Sequence, residues 1–132
     1  MNKENLTNAR VMAATALSER AKLRAYDYGP IEKEADRIFY WIITTFSAHS
    51  IESTYPVKNN YKIIFTICNC SLVLGNIYTP TTALHYFYCK TKKDFYLALE
   101  EVVNIFNSIK YYQAKLVLEE NDKSLTVSLS TK

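Results

Sequence analysis

Four side chains in the middle of the chain have the donor types of a structural metal site: Cys68, Cys70, His85 and Cys89. A set of three cysteines and one histidine holds structural zinc, and cysteines two positions apart project to one face of a strand. Common zinc modules, however, place roughly two to four residues between paired ligands. We therefore interpret these cysteines as small buried hydrophobic residues, and we expect no metal and no cofactor.

The two histidines, His49 and His85, are the candidates for acid–base catalysis. His49 lies beside Ser47 and Ser50, with Glu52 close by. Neighbours in sequence do not make a catalytic triad, because that geometry is tertiary. None of the common nucleophile, zinc-protease or nucleotide-binding motifs is present in the sequence. We predict that the protein is not an enzyme, and a small ligand-binding or hydrolytic enzyme using either histidine is the second alternative.

Basic side chains near the N-terminus have a helical spacing that suits phosphate contacts. Lys3, Arg10 and Arg24 are separated by whole heptads, and Arg20 precedes Arg24 by one turn. A helix with this charge can follow a phosphate backbone or enter a major groove, although charged helix faces are usually only solvated.

A second basic cluster, Lys90, Lys92 and Lys93, follows Tyr86 and Tyr88. Aromatic side chains next to lysines can stack on bases while the lysines bind phosphates. The two clusters together make nucleic-acid binding the first alternative function. Because no ribonucleoprotein-type motif accompanies them, we favour the interpretation that the tyrosines cover a sheet surface.

Tyrosine is the most conspicuous excess in the composition, with 11 residues in a chain of 132. Tyrosine is enriched at protein interfaces and at their energetic hot spots. Tyr26 and Tyr28 fall at the end of the predicted first helix, where exposure is expected. The predicted partner-binding residues are Lys3, Arg10, Arg20, Arg24, Tyr26 and Tyr28.

Length and composition place the chain among ordinary globular proteins. The sequence contains 48% hydrophobic and 22% charged residues, which suits one domain over residues 1–132. The net charge of +3 neither requires nor excludes a polyanionic partner. The first residues lack the apolar core of a signal peptide, and the apolar runs are too short for a membrane span. We expect a cytoplasmic protein with reduced thiols and no membrane partner.

Apolar residues recur with a helical period in three segments, and we predict helices over Asn5–Tyr26, Pro30–Ser47 and Thr91–Ile109. Thr91 and Asp94 have the spacing of a capping box at the start of the third helix. The first helix carries mostly alanines, so residues 1–28 are expected to form a lightly anchored arm. The intervening segment Ser47–Asn60 is predicted to be a loop.

Strand-like alternation or β-branched runs occupy the remaining segments. The predicted strands are Tyr61–Cys68, Cys70–Tyr78 with a turn or bulge at Gly75-Asn76, Ala83–Cys89, Tyr112–Leu118 and Leu125–Leu129. A turn is predicted at Thr79-Pro80-Thr81, and a hairpin at Glu119–Lys123. The sequence therefore predicts an α+β fold in the order α-α-β-β-(β)-α-β-β, with a mainly antiparallel sheet and helices packed on one face.

The functional expectation rests on missing catalytic motifs, surplus tyrosine and a weakly held first helix. We therefore expect a small non-enzymatic binding protein that docks on a larger partner. It would be of the inhibitor or adaptor type that phages and other mobile elements encode. A protein partner is preferred, nucleic acid is the alternative, and self-association is also consistent with the composition. Deletion of residues 1–25 is expected to abolish partner binding and to leave a folded domain.

Overall fold

The chain changes from helices to strands, and back, where the apolar period of the sequence changes. The computed structural model describes residues 8–23, 28–46, 48–57, 61–66, 69–74, 77–81 and 88–132, and for residues 66, 69–74 and 77–81 it describes the backbone. The helices are α1 (Asn8–Leu23), α2 (Pro30–Thr45), α3 (Ala48–Glu52) and α4 (Lys92–Ser108), and the strands are β1 (Tyr61–Thr66), β2 (Asn69–Leu74), β3 (Ile77–Thr81), β4 (Ala114–Glu120) and β5 (Leu125–Thr131). The α+β class and the order of the long elements are confirmed.

The five strands form one antiparallel sheet in the order β3-β2-β1-β5-β4. Register places Val127 of β5 opposite Ile63 of β1 on one side and opposite Leu118 of β4 on the other. Ile63 and Val127 are fully buried. Residues directly opposite one another in a ladder share a face, so the apolar positions of these strands form one continuous surface.

Helices α2 and α4 cover that apolar face of the sheet. The Phe65 ring of β1 makes edge-to-face contacts with Trp41 of α2 and Phe95 of α4, at centroid distances of 6.3 and 5.5 Å. Phe39 and Phe106 join the two helices in the same manner, with their centroids 6.5 Å apart. Aromatic pairs in this geometry are stabilised beyond their buried area. The prediction that helices pack on one face is confirmed.

Polar side chains fix both ends of α4. Thr91 is the N-cap, and its hydroxyl accepts a hydrogen bond from the Asp94 amide at 3.1 Å, as the sequence predicts. Near the other end, the Asn107 amide donates to the Leu116 carbonyl at 3.0 Å and accepts from the Leu116 N–H at 2.9 Å. Leu116 lies on the edge strand β4, so Asn107 pairs backbone groups that would otherwise face solvent.

Two sequence-based assignments are wrong. The predicted loop Ser47–Asn60 contains the short helix α3, which is anchored by the fully buried Ile51 and is too short to show a period. The predicted turn at Thr79–Thr81 is instead part of β3. Proline is tolerated there because β3 is an edge strand, which does not need every N–H in a ladder.

Other predicted elements lie partly outside the described residues. Of the predicted strand Ala83–Cys89, only Tyr88 and Cys89 are described, and neither is in a strand. The predicted turn or bulge Gly75-Asn76 lies wholly outside them, between strands whose register sets Leu74 opposite Ile77.

The N-terminal end of α1 is held by three polar contacts. The Ala9 N–H donates to the Glu52 carboxylate of α3. The buried Tyr112 hydroxyl donates to the Ala9 carbonyl at 2.8 Å, and the Asn8 side chain donates to the Tyr111 hydroxyl at 2.9 Å. A carboxylate at a helix N-terminus also interacts favourably with the helix dipole.

The C-terminal half of α1 is held by Arg20, whose side chain is 10% exposed. Its guanidinium forms ion pairs with Asp36 of α2 at 2.5 Å and with Glu101 of α4 at 2.7 Å. It also donates to the Tyr28 hydroxyl at 2.9 Å and lies 5.4 Å from the centre of that ring. These polar contacts add to the small apolar area that the alanines of α1 bury.

Within the described parts of the chain, no helix combines the length and the apolar content that crossing a membrane requires.

Candidate functional site

The face of α2 that points away from the sheet is basic and aromatic. Lys33, Arg37, Tyr40 and Thr44 recur at steps of four, three and four residues, which aligns them on one side of the helix. The Tyr40 side chain is 49% exposed. Exposure of a large aromatic ring leaves apolar area in water that a partner could bury.

Tyr88, from the segment before α4, extends this face. The Arg37 guanidinium carbon lies 5.8 Å from the centre of the Tyr88 ring, and the Tyr88 side chain is 50% exposed. This is a cation–π contact, which fixes one face of the ring against the arginine. The other half of the ring stays accessible in a defined orientation.

Helix α1 adds a shallow groove beside Tyr40. The groove has a volume of about 280 Å³ and is lined by Arg10, Val11, Ala14, Thr15 and Tyr40. Val11 is 45% exposed, so the groove offers aliphatic surface to solvent. We call the residues that line this groove, together with Arg37 and Tyr88, the α1–α2 surface.

The electrostatic character of the α1–α2 surface follows from where the acids of α2 point. Glu32 turns back to accept a hydrogen bond from the Gly29 N–H at 2.8 Å. Asp36 pairs with Arg20, and Glu34 is fully buried. Among the described residues that line the groove there is no acidic side chain, and Arg10 is basic. Arg37, the other arginine of this surface, lies 3.9 Å from the Glu34 carboxylate.

Glu34 holds the segment that carries Tyr88 against α2. One carboxylate oxygen accepts a hydrogen bond from the Cys89 N–H at 3.2 Å. The other lies 3.9 Å from an Arg37 nitrogen and forms no hydrogen bond with any described residue. Burial raises the pKa of Glu34, against the lowering effect of the Cys89 and Tyr88 amides and of Arg37. Glu34 thus acts beneath the surface, as a positioning residue for Tyr88.

The Cys89 thiol is buried and has no role in nucleophilic chemistry that the structure supports. Burial, and then the nearby Glu34 carboxylate, raise the pKa of this thiol to about 11. The Cys89 sulfur lies 3.8 Å from the Pro30 carbonyl oxygen. A thiol in this environment is inert, because the thiolate is the reactive form.

The residues that the sequence predicts to bind a partner do not lie together on one surface of the structure. Arg10 lines the groove, whereas Arg20 and Tyr28 contact each other inside the molecule. The predicted contacts Lys3, Arg24, Tyr26 and Tyr86 lie outside the described residues.

The three lysines at the start of α4 also differ in their surroundings. Lys90 and Lys93 are exposed, and Tyr88 belongs to the α1–α2 surface. Lys92 donates to the carbonyls of Asn121 and Asp122 at 2.6 and 3.1 Å, so it holds the β4–β5 hairpin against α4.

Of the cysteine and histidine set, only the Cys89 side chain is described; Cys68 and His85 lie outside the described residues, and Cys70 is described by its backbone in β2. Among the described side chains, no three or more His, Cys, Asp or Glu residues are close enough together to hold a metal ion.

His49 lies on α3 and lines a second groove of about 210 Å³. The other lining residues lie between His49 and Tyr61, the first residue of β1. Ser50, Ser53 and Tyr55 also line it. The Ser53 hydroxyl accepts a hydrogen bond from the Tyr55 N–H at 3.0 Å, which is an ordinary turn contact. A serine nucleophile needs a base that accepts its proton, and this contact does not supply one.

Comparison with protein-family models, curated proteins and solved structures finds no match to this chain.

Sequence reasoning missed Val11, Arg37 and Tyr40. It treated α2 as a core-facing helix and followed its apolar stripe alone. The opposite stripe, with Lys33, Arg37 and Tyr40 on a helical spacing, was visible in the sequence and was the signal that could have identified them.

Proposed function

We propose that this protein is a binding protein, without catalytic activity of its own, that docks on a larger macromolecular partner through the α1–α2 surface. The observation that carries this proposal is a pair of half-exposed tyrosines near Arg37: Tyr88 stacks against it, and Tyr40 follows it by one turn of α2. Tyrosine and arginine are the residue types that dominate binding hot spots. A protein partner is the first choice.

Preorganisation supports the same proposal. Arg37 orients the Tyr88 ring, and Glu34 fixes the neighbouring Cys89 amide. Tyr40 projects from the middle of α2, a long helix packed against the core. Rings that are already ordered lose little conformational entropy on binding, so more of the interaction energy contributes to affinity.

Site-specific photo-crosslinking tests the proposal in cells that make the protein. Replacing Tyr40 or Tyr88 with benzoylphenylalanine is expected to give a discrete adduct to one partner. The matched control is the same replacement at Tyr55, which is 72% exposed and lines the His49 groove instead. Introducing Arg37→Ala is expected to reduce the adduct yield from position 40 by about tenfold or more, the size of a hot-spot loss.

Digestion of the adduct identifies the class of the partner. A protein adduct is expected to keep its mass after nuclease treatment, whereas a nucleic-acid adduct would become smaller. Adducts from position 55 with none from positions 40 and 88 would show that the α1–α2 surface is not the docking site.

Nucleic-acid binding remains the second candidate, because the α1–α2 surface contains two arginines and an aromatic ring that Arg37 orients. Its contacts would be Arg10 and Tyr88 of this surface and the exposed Lys90, whereas the Arg20 side chain is only 10% exposed. This candidate requires affinity that falls steeply as salt rises, because phosphate contacts release counterions. A gel shift with no retarded DNA or RNA at low salt would exclude it.

A further inference from the structure

We infer that the β4 edge of the sheet is a pairing site for β4 of a second copy of this chain, and that the Asn107 side chain holds this site closed. β4 lies at the end of the strand order, so among the described strands it has a neighbour on one side only. Such an edge presents backbone N–H and C=O groups that another strand can bind. The site is separate from the α1–α2 surface and does not depend on the function proposed for it.

Asn107 occupies backbone groups that an added strand would need. Its amide nitrogen donates to the Leu116 carbonyl at 3.0 Å, and its amide oxygen accepts from the Leu116 N–H at 2.9 Å. Two residues of neighbouring antiparallel strands exchange the same two bonds. The Asn107 side chain therefore takes the place of a residue on a further strand, and it does so from α4, which packs against β4.

The direction of the Leu116 groups determines which other backbone groups of β4 face outward. Backbone groups alternate between the two sides of a strand. Because those of Leu116 point away from β5, those of Leu118 do so as well, whereas those of Val117 are directed to β5. In an antiparallel pair of β4 strands, Leu116 of one copy can thus exchange both bonds with Leu118 of the second copy.

This register places Val117 on a twofold axis and makes the exposed face of β4 complementary to itself. Leu116 is buried in the core, so the alternate residues Lys115, Val117 and Glu119 project from the opposite face, and all three are exposed. Lys115 of each copy then lies opposite Glu119 of the other, and the two Val117 side chains lie opposite one another. Cross-strand pairs of opposite charge and of branched side chains stabilise a sheet. Moving the axis by one residue, to Leu118, sets Val117 opposite Glu119 and removes both charge pairings.

Lys115 and Glu119 have no competing ionic partner on their own strand. They lie four residues apart, about 13 Å along β4, so they cannot pair with each other. Their neighbours across the β4–β5 ladder are Ser130 and Thr126, which are uncharged. Neither side chain forms an ion pair within the part of the chain that the structure describes. Both charges are therefore available to a second copy.

Asn107 blocks this register at its centre. The backbone bonds nearest to the twofold axis join Leu116 to Leu118 of the second copy, and in each copy Asn107 holds the Leu116 groups. Covering an edge is one of the ways in which proteins prevent such pairing. Asn107 is exposed, so a rotation of its side chain can release the Leu116 groups without a change in the sheet.

Sedimentation of the full-length protein and of Asn107→Ala tests the inference. The wild type is expected to be a monomer at micromolar concentrations. The variant should self-associate with a dissociation constant at least about tenfold lower, because the freed Leu116 groups can bond to the second copy. The matched control is Asn104→Ala, the same change at another exposed position of α4, which should leave association unchanged.

Asn107→Asp gives a graded version of the same test. The carboxylate retains an acceptor for the Leu116 N–H but has no donor for its carbonyl, so association should lie between those of the wild type and Asn107→Ala. Thermal unfolding should show that both variants are folded, since alanine is the strongest helix former and position 107 is exposed.

Charge reversal identifies the register. In the Asn107→Ala protein, adding Lys115→Glu sets like charges opposite one another at both ends of the pairing, and association should weaken by about fivefold or more. Glu119→Lys in the same background should have a similar effect. The protein that carries both reversals regains opposite charges and should recover the affinity of Asn107→Ala.

Val117→Cys measures the proximity of the two copies. Residues opposite one another on this axis form a non-hydrogen-bonded pair, whose Cα atoms are about 4.5 Å apart and within reach of a disulfide. Under mild oxidation, Val117→Cys combined with Asn107→Ala should give a disulfide-linked dimer as the main product, and far less of it with Asn107 retained. Asn107→Ala with Val117 unchanged controls for dimers formed through the native cysteines.

A folded Asn107→Ala or Asn107→Asp protein that associates no more than the wild type would overturn the inference. Association without the Val117→Cys disulfide, or without sensitivity to charge reversal, would do the same, because the contact would then lie elsewhere. Equal disulfide formation with Asn107 retained would show that this side chain does not close the edge. Loss of the folded state in both variants would give Asn107 a structural role in place of this one.

Discussion

Glu34 carries a carboxylate into the interface between α2 and the segment before α4. It is fully buried, and one of its oxygens has no hydrogen bond among the described residues. Burial raises its pKa above the ordinary value of 4.5. The unfolded chain therefore releases this proton at a lower pH than the folded protein does. Stability is greatest with the proton bound, and it declines as pH rises from about 4.5 through the folded-state pKa.

Glu34→Gln tests this dependence. Glutamine retains an oxygen for the Cys89 N–H and carries no charge at any pH. We expect the variant to be more stable than the wild type at neutral pH by about 1 kcal/mol, the scale of a buried group without adequate partners. The difference should shrink toward pH 4, measured by thermal unfolding across the pH range.

The control for this comparison is Glu100→Gln, because Glu100 is exposed on α4. Its stability difference from the wild type should not follow the same course with pH. A Glu34→Gln protein that is less stable at neutral pH would indicate that attraction to Arg37, 3.9 Å away, outweighs the cost of burial.

Among the elements, α1 shows how a helix with little apolar area can still be fixed in place. Its fully buried residues are Ala9 and Ala13, so α1 packs by close approach of its backbone and not through large apolar side chains. Direction and register then depend on polar contacts at both ends, and the Arg20 ion pairs connect α1 to both α2 and α4. The groove beside Tyr40 is lined mostly by residues of α1, so it forms only when α1 is held in this position.

Replacing Arg20 with Met is expected to destabilise the protein by about 2–3 kcal/mol, as measured by denaturant unfolding. Methionine keeps an unbranched, mainly apolar side chain, whereas the charged hydrogen bonds are lost and Asp36 and Glu101 lose their arginine partner. The matched control is Lys22→Met on the exposed side of the same helix, which should change stability by no more than about 0.5 kcal/mol.

Removing the two acids tests the mechanism of that loss. Adding Asp36→Asn and Glu101→Gln to the Arg20→Met protein should recover part of the stability, because the partly buried charges are no longer unbalanced. Equal effects of Arg20→Met and Lys22→Met would show that the ion pairs contribute nothing measurable.

Across the whole molecule, three helices and a sheet form a connected unit in which α1 is a structural part. The Tyr112 hydroxyl bonds to the Ala9 carbonyl, and Arg20 joins α1 to both α2 and α4. The deletion expected from the sequence to leave a folded domain would instead uncover these groups. Folding and binding are therefore separated better by substitution than by truncation.

Deletion of residues 1–28 is expected to broaden and lower the thermal transition, since Tyr112, Asp36 and Glu101 lose their α1 partners. Circular dichroism and hydrogen exchange of the truncated protein measure the effect. The comparison is a full-length Tyr40→Ser protein, which should keep the wild-type transition because Tyr40 is half-exposed. A truncated protein that unfolds as cooperatively and at the same temperature as the wild type would show that α1 is a dispensable arm.

The local pattern of residues was enough to determine most of the secondary structure. α4 begins and ends within a residue of the predicted limits, because its apolar stripe and the Thr91 cap are contained in one continuous segment. The β4–β5 hairpin follows for the same reason, since alternation and a polar turn are local signals. Short α3 and the edge strand with Pro80 lacked such signals, and both were missed.

Only the tertiary structure decided which polar and aromatic residues act together. Arg20 reaches Glu101 across 81 positions, and Arg37 meets Tyr88 from a different element. Sequence spacing within a helix identifies a face but not what covers it. Arg20, predicted to bind a partner, has a side chain that is only 10% exposed, whereas the half-exposed Tyr40 was passed over. The reason is physical: burial and pairing are set by contacts between elements, and these contacts depend on how the chain packs.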